Sequence, residues 1–293
     1  MGGGSLAKEY PFEYLTAAGM AAAVNYPLWR ASAIGQSGFR VATISIAGQT
    51  LPQSLSPYFY AFAPPYKGLA PVVLGMTWAR GFIFWGSDLG KDILQSNGLS
   101  NETLSTVIPP LLTSTFVQIV NQPIVRSSIT LQDPQFNCPD TVSAIRHIYR
   151  NHGLGGLWHG TSAGVLKTVP KYCTAVVVKD YMDAVLPQVD PESSTIESDR
   201  LWRSAAKSAT AGVAGAALTN PLDVIRNEMF KTNKPLIQTI HNLYEELGWR
   251  FLVRGCGKNM IAVAIPVTCT IFFTDTLIQM SKERKKRQEL LER

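Results

Sequence analysis

The sequence predicts an all-α membrane protein with six transmembrane helices, arranged as three pseudo-threefold helix pairs with a short helix inside each pair. Three observations predict this fold. The charged fraction is low, apolar runs of near-spanning length occur six times, and two sequence landmarks recur three times along the 293 residues. Self-similarity at a fixed period indicates that one structural unit is repeated.

The composition favours a membrane protein with a polar interior. Charged residues make up 16% of the chain, against about 25% in typical soluble domains, while hydrophobic residues make up 46% and the mean hydropathy is only +0.06. The net charge is +6, but the basic residues are spread out or confined to the tail at 282–293. This spread excludes a nucleic-acid footprint.

The residue types that carry catalysis or metal binding do not form a pattern. The four cysteines include no CxxC pair, and no histidine stands at zinc spacing from them, so we expect reduced thiols and neither a metal nor a cofactor. No nucleophile, base and orienting group occur together at a useful spacing. The sequence therefore predicts that the protein is not an enzyme.

Two landmarks define the repeat. The first is a proline at the end of an apolar run, at Pro27, Pro123 and Pro221, which are 96 and 98 residues apart. The second is a glycine after a basic residue or histidine, in Tyr66-Lys67-Gly68, Trp158-His159-Gly160 and Val253-Arg254-Gly255. Their constant order divides one domain into repeats at 1–104, 105–199 and 200–293.

Six apolar runs are the predicted membrane crossings, at residues 15–28, 72–94, 104–124, 164–185, 205–225 and 260–278. Runs of about 20 residues span a bilayer, and the shorter ones can extend through inward-facing polar positions. Between the landmarks, residues 140–150 and 235–247 read as amphipathic helices that end at Gly153 and Gly248. The equivalent stretch of the first repeat, residues 49–65, is rich in proline and aromatic residues, and we expect it to be irregular.

The distribution of loop charges predicts an orientation. Loops inside each pair are basic, and loops between pairs are acidic. By the positive-inside rule, the loops within pairs face the inner compartment. Six crossings then place both termini on the opposite side.

These residues resemble the mitochondrial carrier family, whose repeat reads P-x-[DE]-x-x-[KR] with a glutamine nine positions after the proline. The third repeat keeps proline, acid and base as Pro221, Asp223 and Arg226, and the glutamine survives as Gln36 and Gln132. The resemblance implies a multi-pass protein of the mitochondrial inner membrane, with short helices on the matrix side and both termini toward the intermembrane space.

In this family a ring of salt bridges between repeats closes the matrix gate, and here the resemblance assigns Pro27, Pro123, Pro221, Asp223, Arg226, Gln36 and Gln132 to that gate. The ring is mostly lost, because the acid positions of the first two repeats hold Trp29 and Val125 and the base positions hold Ser32 and Ser128. We expect Asp223 and Arg226 to pair along one helix turn. Arg30 and Arg126 are expected to face lipid headgroups.

The family's outer gate follows [YF]-[DE]-x-x-[KR] on the other three helices. The resemblance places its acids at Asp88, Asp180 and Asp275, with Lys91, Asp183 and Ile278 at the base positions. One lysine cannot neutralise three carboxylates. The acids are either solvated at the interface or bound to a cation or to basic residues of a partner.

The resemblance places substrate contacts seven and eight residues after each landmark glycine. These positions are Gly75 and Met76, Lys167 and Thr168, and Ala262 and Val263. Only Lys167 is charged, and it is either an anion ligand or a side chain that snorkels toward water. Bulky polyanions need several convergent cations, so a small monocarboxylate, an amino acid or no solute remain as alternatives.

The glycine landmarks also begin helices, whose free N–H groups can hold phosphate. In the family this position resembles a cardiolipin site. The resemblance therefore implies a lipid contact of the bilayer at Lys67, Gly68, Gly160, Arg254 and Gly255.

Two functional hypotheses follow. In the first, a carrier-fold protein has lost ordinary exchange and serves as an accessory subunit of a large inner-membrane assembly of the respiratory type, as the degraded rings suggest. In the second, the protein transports a small solute, a monocarboxylate or an amino acid, and uses Lys167 as the anion contact.

Overall fold

The computed structural model describes residues 10–41, 45–46, 49–50, 52–62, 64–98, 101–136, 138–187 and 196–291. Its elements are α1 (Pro11–Val24), α2 (Tyr26–Ser37), β1 (Ser45–Ile46), β2 (Gln49–Thr50), α3 (Ser56–Phe62), α4 (Leu69–Ser96), α5 (Glu102–Thr130), α6 (Thr141–Leu157), α7 (Thr161–Leu166), α8 (Thr168–Val185), α9 (Ile196–Thr232), α10 (Leu236–Leu247), a 3₁₀ turn (Gly248–Val253) and α11 (Cys256–Leu291).

The long helices form three pairs. The first crossing is α1 followed by α2, which are separated at Asn25 directly before Tyr26 and Pro27. The fourth crossing is likewise divided into α7 and α8 at Lys167. In α5 and α9, by contrast, Pro123 and Pro221 lie inside one continuous helix.

The six crossings pack into a closed ring. Each helix contacts its neighbours in chain order, from α1 through α4, α5, α7 with α8, α9 and α11, and α11 packs back against α1 and α2. This order is the one expected for three pairs around a common axis. We call the end of the bundle that carries α3, α6 and α10 the intra-repeat end.

Apolar side chains cover the outside of the long helices. Leu74, Leu112 and Phe272 are each exposed by 66% or more. Among the described helices, three are long and apolar enough to cross a membrane: Leu69–Ser96, Leu104–Thr130 and Cys256–Ser281. A continuous apolar exterior of this length suits a lipid environment.

The short helices correct one expectation and match two others. In the first repeat, the stretch expected to be irregular contains the helix α3, preceded by an antiparallel pairing of β1 with β2. The amphipathic helices α6 and α10 occur as predicted. Gly153 (φ 65°, ψ −169°) interrupts α6, and Gly248 (φ 54°) follows the end of α10.

Asp140 caps the N-terminus of α6, where its Oδ1 accepts a hydrogen bond from the Ser143 N–H at 2.7 Å. This bond holds the pKa of the carboxyl group below its ordinary value of 3.8. The pKa of Asp140 is lower in the folded state than in the unfolded state. The carboxylate therefore contributes its full share of folding stability above the unfolded-state pKa, and this share is lost as the pH falls through the folded-state pKa. Between pH 5 and pH 3, we expect the thermal midpoint of the wild type to fall more steeply than that of Asp140→Asn, which keeps a neutral cap. Parallel midpoint curves would contradict this role.

Candidate functional site

At the intra-repeat end, each landmark glycine of one repeat contacts the end of the proline-bearing helix of the next. A Cβ built on Gly68 would lie 2.8 Å from Leu131 Cδ2, and one on Gly160 would lie 2.7 Å from Phe230 Cε1. The third contact closes the ring, because a Cβ on Gly255 would lie 2.6 Å from the backbone N of Gln36. All three glycines have positive φ, between 69° and 82°. The sequence repeat therefore becomes a cyclic set of inter-repeat contacts.

A buried arginine joins the first repeat to the second. Arg30 Nε donates to Gln132 Oε1 at 2.6 Å, and Nη1 donates to the carbonyl oxygens of Ala61, at 2.8 Å, and Pro64. Arg30 is 1% exposed. The expectation that it faces lipid headgroups is therefore wrong, because the end of α3 turns carbonyl acceptors toward it. Hydrogen bonds to a charged group compensate part of the cost of burying that group.

Arg126 makes the equivalent junction between the second and third repeats. Its Nη2 donates to Asn233 Oδ1 at 2.9 Å, and its Nη1 donates to the carbonyl of Gly156. The Arg126 side chain is also 1% exposed. The expectation that it faces lipid headgroups is therefore wrong, because a carbonyl of α6 accepts from it inside the bundle. Both arginines stand three residues after their proline.

In the third repeat, the position three residues after Pro221 holds the buried Val224. The arginine of this junction is instead Arg254, in the turn that precedes Gly255. Arg254 Nε donates to the carbonyl of Gln36 at 2.8 Å, and Nη2 pairs with Glu228 Oε2 at 2.9 Å. A bond from Gln36 Nε2 to Asn220 Oδ1, 3.0 Å long, strengthens the same junction. We call Arg30, Arg126 and Arg254 together the arginine closure.

The middle of this end is apolar. Where the family would carry two acids, Trp29 and Val125 pack against buried Ala33, Ile129 and Phe230. We call these five residues the apolar plug. The guanidinium carbons of Arg126 and Arg226 lie 6.0 Å and 5.9 Å from the centroid of the Phe230 ring. Cation–π attraction and apolar packing thus replace a ring of ion pairs.

Lys167 takes part in a buried ion cluster. Its Nζ lies 2.7 Å from Asp223 Oδ1, and Arg226 Nη2 lies 2.9 Å from the same oxygen. The predicted pairing of Asp223 with Arg226 is confirmed. The snorkelling alternative for Lys167 is wrong, because its side chain is only 11% exposed and reaches a carboxylate inside the bundle.

The cluster has spare hydrogen-bonding capacity. Among the described residues, neither Arg226 Nε nor Gln122 Oε1 has a partner, although both atoms are buried. Gly164 lies close to both side chains, because its built Cβ would be 3.8 Å from Arg226 Cδ and from Gln122 Oε1. One donor and one acceptor therefore remain unused beside the cluster.

The other predicted substrate positions are distributed around the bundle. Thr168 is buried, and its hydroxyl donates to the Gly164 carbonyl at 3.3 Å. The Gly75 carbonyl accepts from Asn121 Nδ2 at 3.0 Å, so Gly75 lies at the contact of α4 with α5. Val263 packs opposite Gly212, while Met76 and Ala262 are half-buried. Contact with a substrate stays a prediction for all of them.

Arg80, an ionisable residue inside the spanning helix α4, was not among the predicted site residues. Its Nη1 donates to Thr270 Oγ1 of α11 at 3.2 Å, which joins the first repeat to the third. Arg80 stands one helical turn after Met76 and shares its helix face. The sequence does contain a signal for this contact, because an ionisable residue within an apolar run indicates a polar contact in the interior of the bundle.

The predicted outer acids lie on the long even-numbered crossings, at the end opposite the intra-repeat end. Asp88 and Lys91 are half-buried, and Asp275 accepts a hydrogen bond from Gln279 Nε2 at 3.1 Å. The side chain of Asp180 lies outside the described part of the chain. Their role as an outer gate stays a prediction.

The predicted lipid residues lie at the three turns between short and long helices. Gly68, Gly160 and Gly255 directly precede α4, α7 and α11. The guanidinium of Arg254 is engaged in the arginine closure, and the Lys67 carbonyl accepts from the Tyr26 hydroxyl at 2.7 Å. A cardiolipin contact at these turns stays a prediction.

Comparison with known proteins gives one family. A family profile described as "Mitochondrial carrier protein" matches residues 104–190 and 197–285, which is more than half of the chain. The chain is similar to a mitochondrial coenzyme A transporter of Homo sapiens, with 25% identity over 64% of this chain and 60% of that protein.

Two further relatives are amino-acid transporters. The mitochondrial ornithine transporter 1 of Saccharomyces cerevisiae is 22% identical, over 64% of this chain and 62% of its own length. The mitochondrial basic amino acids transporter of Bos taurus is 21% identical, over 73% of this chain and 72% of its own length. The chain thus spans about six tenths of the length of the coenzyme A and ornithine transporters.

Proposed function

This chain belongs to the mitochondrial carrier family, and we propose that it is a carrier-fold protein of the inner membrane that has lost solute exchange and serves as an accessory subunit of a larger membrane assembly. The predicted all-α membrane fold is confirmed by the family and by the helical ring. The observation that carries the proposal is the arginine closure, which replaces exchangeable charge pairs by bonds to mostly neutral acceptors.

The arginine closure favours the state of the bundle in which the intra-repeat end is closed. Exchange requires each end to open in turn, and opening the intra-repeat end separates all three arginine junctions. A hydrogen bond to a charged group contributes about 1.5–3 kcal/mol net, so three junctions together favour closure by roughly 5 kcal/mol or more. About 5.5 kcal/mol shifts a two-state equilibrium by about 10,000-fold.

At the opposite end of the bundle, few charge pairs are available to stabilise the alternative state, in which that end is closed. In the family, closure there pairs acids with bases three residues later, but Asp183 and Ile278 occupy two of the three base positions. A state closed at that end would gather four carboxylates around Lys91, those of the three acid positions and that of Asp183. We therefore propose a bundle that stays closed at the intra-repeat end, keeping the structural role of the fold without its transport cycle.

The proposed orientation places the intra-repeat end toward the matrix and the termini toward the intermembrane space. The basic loops within pairs support this orientation. On the intermembrane side, the acids around Asp88 and Asp275 would then face basic residues of a partner subunit. A cardiolipin molecule at the glycine turns is part of the same proposal.

Two measurements test the proposal. With the four native cysteines replaced by alanine, we expect Ser128→Cys to resist a water-soluble maleimide, because Ser128 is fully buried at the intra-repeat end. The control variant Ser54→Cys is exposed at the same end and should react quickly. Labelling of Ser128→Cys at a comparable rate would show that the end opens, and the loss of exchange would be refuted.

The subunit role has its own readout. After mild detergent extraction from native membranes, we expect the protein to migrate on a native gel far above the mass of one 32.1 kDa chain with its detergent. Migration as a monomer alone would overturn this part of the proposal.

The buried ion cluster favours a second candidate, transport of a small zwitterion. A solute carboxylate could replace Asp223 on Lys167, and the released Asp223 could accept the solute ammonium group. Similarity to transporters of ornithine and basic amino acids supports this class of solute. If proteoliposomes exchange a labelled amino acid, Lys167→Gln should abolish that exchange, and unchanged uptake would remove the proposed contact.

A further inference from the structure

A cavity of about 180 Å³ lies beside the apolar plug, on its intra-repeat side. All three repeats line it, through Phe39 of the first, Arg126 of the second and Asn227 of the third. Such a volume holds several water molecules, and therefore a phosphate ion or a short carboxylate. The cavity is separate from the ion cluster of Lys167 and from the predicted substrate positions.

The floor of the cavity holds buried polar groups that lack partners. Asn227 and Arg126 are each 1% exposed. Neither amide atom of Asn227 nor Nε of Arg126 has a hydrogen-bond partner within the described residues. An unsatisfied buried polar group costs about 1–3 kcal/mol. The three atoms belong to two residues that line this cavity, so a ligand that reaches them would recover part of that cost.

The rim of the cavity is mainly basic. His147, His152 and Lys231 line it and are exposed, with Asp133 as the acid in the lining. Lys231 also lies 3.2 Å from Glu228 Oε1. Burial lowers the pKa of the His152 imidazole, and the charge of Arg126 lowers it further. The charge of Arg126 is thus felt at the rim of the cavity.

We propose that this cavity binds a small oxyanion, a phosphate or carboxylate group, on Arg126 Nε and Asn227 Nδ2 at the floor and on His152 and Lys231 at the rim. The ligand enters from the intra-repeat end, so it reaches the site while the arginine closure stays intact. The proposal does not depend on transport. It assigns to the closed bundle a ligand contact between the second and third repeats.

The test uses the full chain, purified in detergent and depleted of lipid, with radiolabelled inorganic phosphate in equilibrium dialysis. We expect saturable binding at one site per chain. Asn227→Leu should weaken binding at least tenfold, because it removes a donor without changing charge. The control Asn97→Leu, exposed at the other end of the bundle, should bind like the wild type.

A second variant covers the case in which Asn227→Leu fails to fold. Lys231→Gln changes a side chain that is 41% exposed, so the fold should persist while binding weakens two- to fivefold. Displacement of labelled phosphate by acetate would support recognition of oxyanions as a class. Absence of saturable binding, or equal binding by wild type and Lys231→Gln, would overturn the proposal. Occupancy by cardiolipin with no binding of free phosphate would assign the site to a lipid headgroup and overturn it as well.

Discussion

Replacing Gly255 by alanine is expected to destabilise the protein by about 3 kcal/mol, which combines the cost of a left-handed alanine with that of overpacking. Gly255 has φ 69°, and a Cβ there would lie 2.6 Å from the backbone N of Gln36 and 2.8 Å from the carbonyl carbon of Gly35. Backbone atoms cannot rotate away as a side chain can. The third repeat would therefore separate from the first, and the contact of Arg254 with Gln36 would be lost with it.

The chain offers a matched control two residues later. A Cβ on Gly257 meets no atom within 4 Å, and alanine favours the helix α11 by about 1 kcal/mol over glycine. Thermal unfolding in detergent should show a midpoint lower by roughly 5–10 °C for Gly255→Ala and unchanged or higher for Gly257→Ala. Equal midpoints for the two variants would mean that the turn does not close the ring.

Removing the charge of Asp223 is expected to have the second large effect. Asp223→Asn leaves Lys167 and Arg226 buried near each other without a carboxylate, and breaking a buried pair in this way costs about 3–5 kcal/mol. Lys167→Met should cost less, because Asp223 keeps Arg226 at 2.9 Å. The free energy of unfolding, measured for each variant in detergent, checks this order.

The double variant tests the coupling directly. Lys167→Met with Asp223→Asn should be less destabilising than the sum of the single variants by about 0.5–3 kcal/mol, because it removes both partners. The control Glu245→Gln alters a carboxylate that is 63% exposed and paired with His241, and it should change stability little. Strict additivity at Lys167 and Asp223 would refute the buried cluster.

Local backbone requirements made much of the fold readable from the sequence. The glycines at 68, 160 and 255 stand where the chain needs positive φ, and only glycine adopts that region without strain. Because each of these glycines follows a landmark proline in the same order, the sequence already showed the three repeats and the order of the helices. The helices α6 and α10 were predicted for the same reason, because periodicity and a terminal glycine are local properties.

The candidate site was harder to predict, because its partners are distant in the chain. Arg30 contacts carbonyl oxygens at 61 and 64 and an amide at 132. Every residue carries a backbone carbonyl group, so residue identity does not indicate which carbonyl will accept a hydrogen bond. The expectation of lipid-facing arginines failed because a basic residue at a helix end suits either a headgroup or a buried carbonyl cluster.

The sequence by itself determined the family, the three repeats and the loss of the family's charge ring, because these depend on residue identity at fixed spacing. Only the tertiary structure decided what replaced that ring. The relative axial position of two packed helices brings Lys167 into contact with Asp223, 56 residues away. The closing of the three repeats around one axis brings Arg254 into contact with Gln36. Such contacts depend on how whole helices pack, and packing is a property of the assembled ring rather than of any segment.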